Sequence, residues 1–63
     1  MKAKTTMFYN RTRNETSFGV IIQSEPGGKY NTMYTKDGKE IFSVDNKVIA
    51  NLEVKELNKI FGL

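Results

Sequence analysis

Residues 51–61 read Asn-Leu-Glu-Val-Lys-Glu-Leu-Asn-Lys-Ile-Phe, and here the chain changes period. Val54, Leu57 and Phe61 fall at i, i+3 and i+7 with Ile60 beside them, which is the apolar stripe of an amphipathic helix. Asn51 stands where an N-cap belongs. Glu53 and Glu56 lie toward the positive end of the dipole, Lys59 toward the negative end, and Gly62 at the C′ position. The spacing predicts a helix over about 52–61.

Upstream of it the pattern is that of strands. Thr5-Thr6-Met7-Phe8-Tyr9 is β-branched and aromatic, Asn10 to Ser17 is polar and loop-like, and Phe18-Gly19-Val20-Ile21-Ile22-Gln23 is strand-like again. Pro26-Gly27-Gly28 is the strongest breaker in the chain, because Pro presets one turn position and Gly supplies positive φ at the next. Asp37-Gly38 lies between two alternating segments and signals a type I′ hairpin, which would pair Tyr34 with Ile41, Met33 with Phe42 and Thr32 with Ser43. A polar turn at Asp45-Asn46-Lys47 then leads into Val48–Ala50. Strands are thus expected at about 4–10, 18–24, 29–35, 39–44 and 48–50.

The fold class that follows is mainly β with one C-terminal helix, in a single small domain over 1–63. Its expected form is a five-stranded bent meander or partly open barrel, SH3-like or OB-like, closed by the helix. Alternation assigns Met33, Phe42, Val44 and Ile49 to one buried face and Phe18, Val20 and Ile22 to another stretch of it. Leu52, Val54, Leu57, Ile60 and Phe61 are expected to meet them from the helix. Sixty-three residues supply only a thin core of this kind.

The chemistry available is narrow. There is no Cys and no His, so disulfides, thiolate metal sites, cysteine nucleophiles and imidazole bases are all excluded. Asp37, Glu40 and Asp45 sit in turns and read as turn-formers facing solvent. Gly27-Gly28-Lys29 shares composition with a phosphate loop but not its spacing. No catalytic residue, metal site or cofactor is expected, and the chain reads as a non-enzyme.

Charge is more informative. The net charge is +3, yet residues 1–13 hold Lys2, Lys4, Arg11 and Arg13 and no acid. Such a patch attracts phosphate or an acidic protein surface. Period-two alternation also places Tyr30 and Tyr34 on one sheet face with Lys36 and Lys39 at its rim, and Tyr9 joins them if it points the same way. Tyrosines bordered by cations are one way to hold single-stranded nucleic acid, with rings on bases and cations on phosphates. The expected binding residues are therefore Lys2, Lys4, Tyr9, Arg11, Arg13, Tyr30, Tyr34, Lys36 and Lys39.

Two partial resemblances bear on this. Short strands with a C-terminal helix at this length resemble the layout of the small basic chromatin proteins of thermophilic archaea, although no motif of theirs is matched residue by residue. Phe8-Tyr9-Asn10 followed by Phe18-Gly19-Val20-Ile21 resembles the aromatic-aromatic-Asn and Gly-Phe-Gly-Phe-Ile strands of cold-shock domains. The intervening loop is longer than in that family, and Val20 stands where it has an aromatic.

The expected function is a small basic nucleic-acid-binding protein that uses an Arg- and Lys-bearing first hairpin and a tyrosine-containing sheet face. The alternative is a small non-enzymatic regulator or inhibitor, of the sort phages encode, that binds a host protein through the same surface or an edge strand. Its support is a chain with its own Met1 and a Lys, Asn, Ile and Thr bias typical of A·T-rich genomes. No membrane span or signal peptide is recognisable, so a cytoplasmic location is expected. Exposed edge strands on a thin core also lead us to expect a homodimer.

Overall fold

The structure is a computed structural model describing residues 1–63, with Asn31 described by its backbone alone. Three antiparallel strands, β1 (Lys2–Asn10), β2 (Glu15–Gln23) and β3 (Tyr30–Met33), form one open sheet in the order β1-β2-β3. The helix α1 (Lys47–Ile60) follows and packs on β1 and β2. The chain is mainly β with a C-terminal helix, as its periodicity implies. Among the described residues there are neither five strands nor a barrel.

β1 and β2 pair over their whole length, from Lys2 opposite Gln23 to Asn10 opposite Glu15. The loop between them is only residues 11–14, where Asn14 takes a left-handed φ of 55° and the Arg13 N–H donates to Asn10 Oδ1 at 3.2 Å. The polar stretch expected as loop up to Ser17 is half strand, because Glu15, Thr16 and Ser17 are drawn into register by Asn10, Tyr9 and Phe8. Along β2 the even residues face α1, and Val20 and Ile22 are buried there with Ala3 of β1 and Leu57 of α1. Tyr34, Phe42, Val54 and Phe61 pack around them, half-buried. Burying Val20 and Ile22 supplies about 1.5–3 kcal/mol each, a substantial part of what so small a core can offer.

The expected fourth strand, 39–44, is absent. β3 runs beside β2 with Met33 opposite Ile21, and the Tyr34 N–H donates to the Val20 carbonyl at 2.9 Å. The chain then leaves the sheet over residues 35–43 and returns at Val44, which exchanges both backbone hydrogen bonds with Phe18 at 2.8 and 2.9 Å. Val44 continues the line of β3. The Asp37-Gly38 turn closes a small loop within this excursion, with Thr35 bridged to Ile41 and the Phe42 N–H donating to the Tyr34 carbonyl. This register is one residue away from the expected Tyr34–Ile41 pairing. Gly38 has φ of 76° but Asp37 does not have positive φ, so the turn is not type I′. Instead the Asp37 carboxylate accepts from the Lys39 and Glu40 N–H groups, and side-chain capping replaces the two-residue turn.

The expected fifth strand, 48–50, is the first turn of α1. Asn46, not Asn51, caps the helix, its Oδ1 accepting from the Val48 N–H at 2.8 Å. Ala50 decides the matter, because it is fully buried and only a helix brings it, Val54, Leu57 and Phe61 onto one side. Ile49, Leu52 and Ile60, all expected in the core, are consequently exposed. At the other end the Gly62 and Leu63 N–H groups donate to the Lys59 and Asn58 carbonyls, the Schellman pattern expected of a C′ glycine. Among the described residues no helix is long and apolar enough to cross a membrane.

Candidate nucleic-acid interface

The sheet face turned away from α1 carries the alternate set of side chains. Lys2, Lys4, Thr6, Phe8 and Asn10 project from β1, and Ser17, Gly19, Ile21 and Gln23 from β2. Lys2 and Lys4 are exposed, whereas Phe8, Ile21 and Met33 are half-buried. Gly19 is required here: a Cβ on it would lie 2.9 Å from both the Phe42 carbonyl oxygen and Phe8 Cε1. The 35–43 excursion therefore rests on this face at Gly19, with the Phe8 ring beside it.

A shallow groove of about 770 Å³ opens where the excursion meets the hairpin tip. Phe8, Tyr9, Arg11 and Arg13 line one wall, and Lys39, Glu40, Ile41 and Ser43 the other. The Arg13 guanidinium pairs with Glu15 at 3.0 Å, an exposed contact of small energetic worth. Arg11 and Lys39 have no side-chain partner among the described residues. The groove thus brings together two cations without a side-chain partner among the described residues, a third paired with Glu15, the Glu40 carboxylate and two aromatic side chains.

The three tyrosines do not share a face. A register irregularity between Ile22 and Gln23 places Gln23 opposite Tyr30 and Ile22 opposite Thr32, so one residue is skipped and the alternation reverses. Tyr30 consequently lies on the open face, where the Lys4 ammonium sits 4.1 Å from its ring centroid. Tyr34 lies on the α1 face, tilted against Phe42 at 5.9 Å between centroids. Burial first, then the Glu53 carboxylate that accepts its hydrogen bond, push the Tyr34 phenol above its usual pKa, while Lys36 pulls it the other way. Lys36 itself pairs with Glu53 at 3.4 Å. Tyr9 falls on the α1 side of β1 by alternation, and its hydroxyl donates to Asn14 Oδ1.

Of the nine expected binding residues, Tyr9, Arg11, Arg13 and Lys39 therefore meet at the groove, and Lys2, Lys4 and Tyr30 meet at the other end of the open face. Tyr34 belongs to the packing under α1, and Lys36 lies exposed on that side, paired with Glu53. Phe8, a strand residue and part of the aromatic-aromatic-Asn pattern but not among the nine, links groove and face; its alternation with Tyr9 is the available signal. Among the described residues no cluster of His, Cys, Asp or Glu gathers to hold a metal ion. No family model, curated protein or solved structure matches this chain.

Proposed function

We propose that this chain is a small basic nucleic-acid-binding protein that holds a single strand along the open sheet face and into the groove. The observation that carries the reading is the placement of charge and rings. Lys2 and Lys4 border Tyr30 at one end, Arg11, Arg13 and Lys39 surround the groove at the other, and half-buried Phe8 lies between. Rings at this depth offer one face for stacking, at about 1–3 kcal/mol per base, and the cations flank the path a backbone would follow. An open sheet face suits single strands, whose bases are free to turn toward the protein.

Fluorescence anisotropy with a labelled single-stranded oligonucleotide tests this. About four phosphate contacts give a log-log salt slope near −3. Replacing Arg11 and Arg13 together by Ala is expected to leave folding stability within about 0.5 kcal/mol and to weaken binding at least tenfold, about 1.4 kcal/mol. Lys36→Ala, on the α1 side, is expected to leave affinity unchanged. No binding at low salt, or equal losses from both variants, refutes the assignment. The second reading, a non-enzymatic regulator that docks on another protein, draws on the exposed Val48, Ile49 and Leu52 of α1. It requires a partner bound with little salt dependence.

A further inference from the structure

The free edge of β1 is divided by the helix into a closed part and an open part. Residues directly opposite in an antiparallel ladder either exchange both backbone hydrogen bonds or neither. Phe18 spends its N–H and C=O on Val44, and the Val20 carbonyl accepts from Tyr34, so both turn their polar groups away from β1. Their partners on β1, Met7 and Thr5, therefore point N–H and C=O outward, and so do Ala3 and Tyr9 in the same alternation. At Ala3 both outward groups are taken by one side chain: Asn58 Oδ1 accepts from the Ala3 N–H at 2.8 Å and its amide donates to the Ala3 carbonyl at 3.1 Å. The Asn58 amide stands in for a neighbouring strand. One heptad earlier on the same flank of α1, Asn51 bonds the Thr5 hydroxyl but not its backbone. Thr5, Met7 and Tyr9 are left with outward backbone groups that have no partner among the described residues.

We infer that these three residues pair with the same three of a second copy, in one register, to form a six-stranded sheet across a two-fold axis at Met7. That register sets Met7 opposite Met7 and Thr5 opposite Tyr9, using every unpaired outward group. Ala3 falls opposite Arg11, past the end of the partner's strand, so the Asn58 amide stays in place. Sliding one way to centre on Thr5 or Thr6 forces Ala3 to pair and expels Asn58. Sliding the other way loses a pair. Charge agrees with the choice: Lys4 faces Asn10 and Lys2 faces Thr12, with no like charges opposed. Met7, 66% exposed, lies on the axis and would lose water there. β1 also has no Pro and no bulge, two devices that blunt an edge strand. The pairing does not depend on nucleic-acid binding, since it uses the strand edge and not the open face.

The test is sedimentation of the full chain without nucleic acid, from about 1 μM to about 1 mM, the range in which small interfaces associate. A doubled mass at the upper end is expected. Met7→Lys, at an exposed position, is expected to keep the circular dichroism spectrum and the monomer mass throughout. The chain has no Cys, so Met7→Cys gives a clean register probe. Two Cα atoms opposite each other at the axis lie about 5.5 Å apart, within disulfide reach. Oxidation should then yield a disulfide dimer from Met7→Cys and none from Lys4→Cys, which lies about 20 Å from its own copy in this register. A monomer at all concentrations overturns the proposal, as does equal cross-linking of the two cysteine variants.

Discussion

On the α1 side of the sheet, Ala3, Val20 and Ile22 meet Leu57 and exclude water by side-chain packing alone. On the other side Ser17 and Gly19 are also buried, yet what adjoins Gly19 is a backbone carbonyl, one aromatic ring and the Met33 methyl group. The first surface is held by apolar periodicity and tolerates no loss of volume. The second is held by an irregular segment lying close to the sheet and tolerates no gain. Opposite substitutions should therefore damage the two sides.

Leu57→Ala breaks the first side. Leu57 is the one large side chain of α1 that is buried, and truncation leaves a cavity that a helix anchored at Asn46, Asn58 and Gly62 cannot fill. A loss of about 2–4 kcal/mol is expected in chemical denaturation, most of what so small a domain possesses. Unchanged stability would show that α1 does not close the core.

Gly19→Ala breaks the second side by addition. The new methyl would sit 2.9 Å from the Phe42 carbonyl oxygen, which is backbone and cannot swing aside as a side chain can. About 1–3 kcal/mol should be lost, and amide exchange should accelerate across residues 35–43 before the rest of the chain. Wild-type stability in that variant would mean the excursion does not rest on the sheet.

How much of this was legible follows the same division. Strands β1 and β2 and the Val54, Leu57, Phe61 stripe stand out because alternation and helical spacing are properties of adjacent residues. The helix start was missed because Val48 and Ile49 are β-branched and read as strand. What overrode them was the burial of Ala50 in a helix that packs on β1 and β2, far back along the chain. The excursion was missed for a related reason: Asp-Gly marks a turn, but only Phe18 pairing with Val44 determines that the chain rejoins the sheet instead of building a new strand. At the site, the Arg11 and Arg13 tip was readable from local charge. The shared face of the tyrosines was not, since one irregularity beside Gln23 reversed the alternation between Tyr30 and Tyr34.

Ser17→Ala sharpens the comparison in the opposite sense. The Ser17 hydroxyl is fully buried under the second side and has no hydrogen-bond partner among the described residues. An orphaned buried hydroxyl costs about 1–3 kcal/mol, whereas alanine fills nearly the same space without one. Stability should hold or rise by up to about 1 kcal/mol. A clear fall would show that a water satisfies the hydroxyl, and that this side is wetter than its geometry indicates.

The smallest effect concerns the loop that carries Lys39 to the groove. The Lys39 and Glu40 N–H groups donate to the Asp37 carboxylate at 3.0 and 3.2 Å and hold its pKa below the usual aspartate range. Because the folded value lies below the unfolded one, the ordering this loop gains is complete above the unfolded pKa and fades as pH falls through the folded one, below about pH 4. Carboxyl ¹³C shifts followed against pH should show Asp37 titrating below an unstructured peptide of the same sequence. Asp37→Asn keeps an acceptor oxygen but removes the titration, so its loop signals should lose their acid dependence while its melting temperature at neutral pH barely moves. If Asp37 titrated at its ordinary value, the two N–H groups would not be bonded to it, and Lys39 would lack the anchored backbone that holds it at the groove.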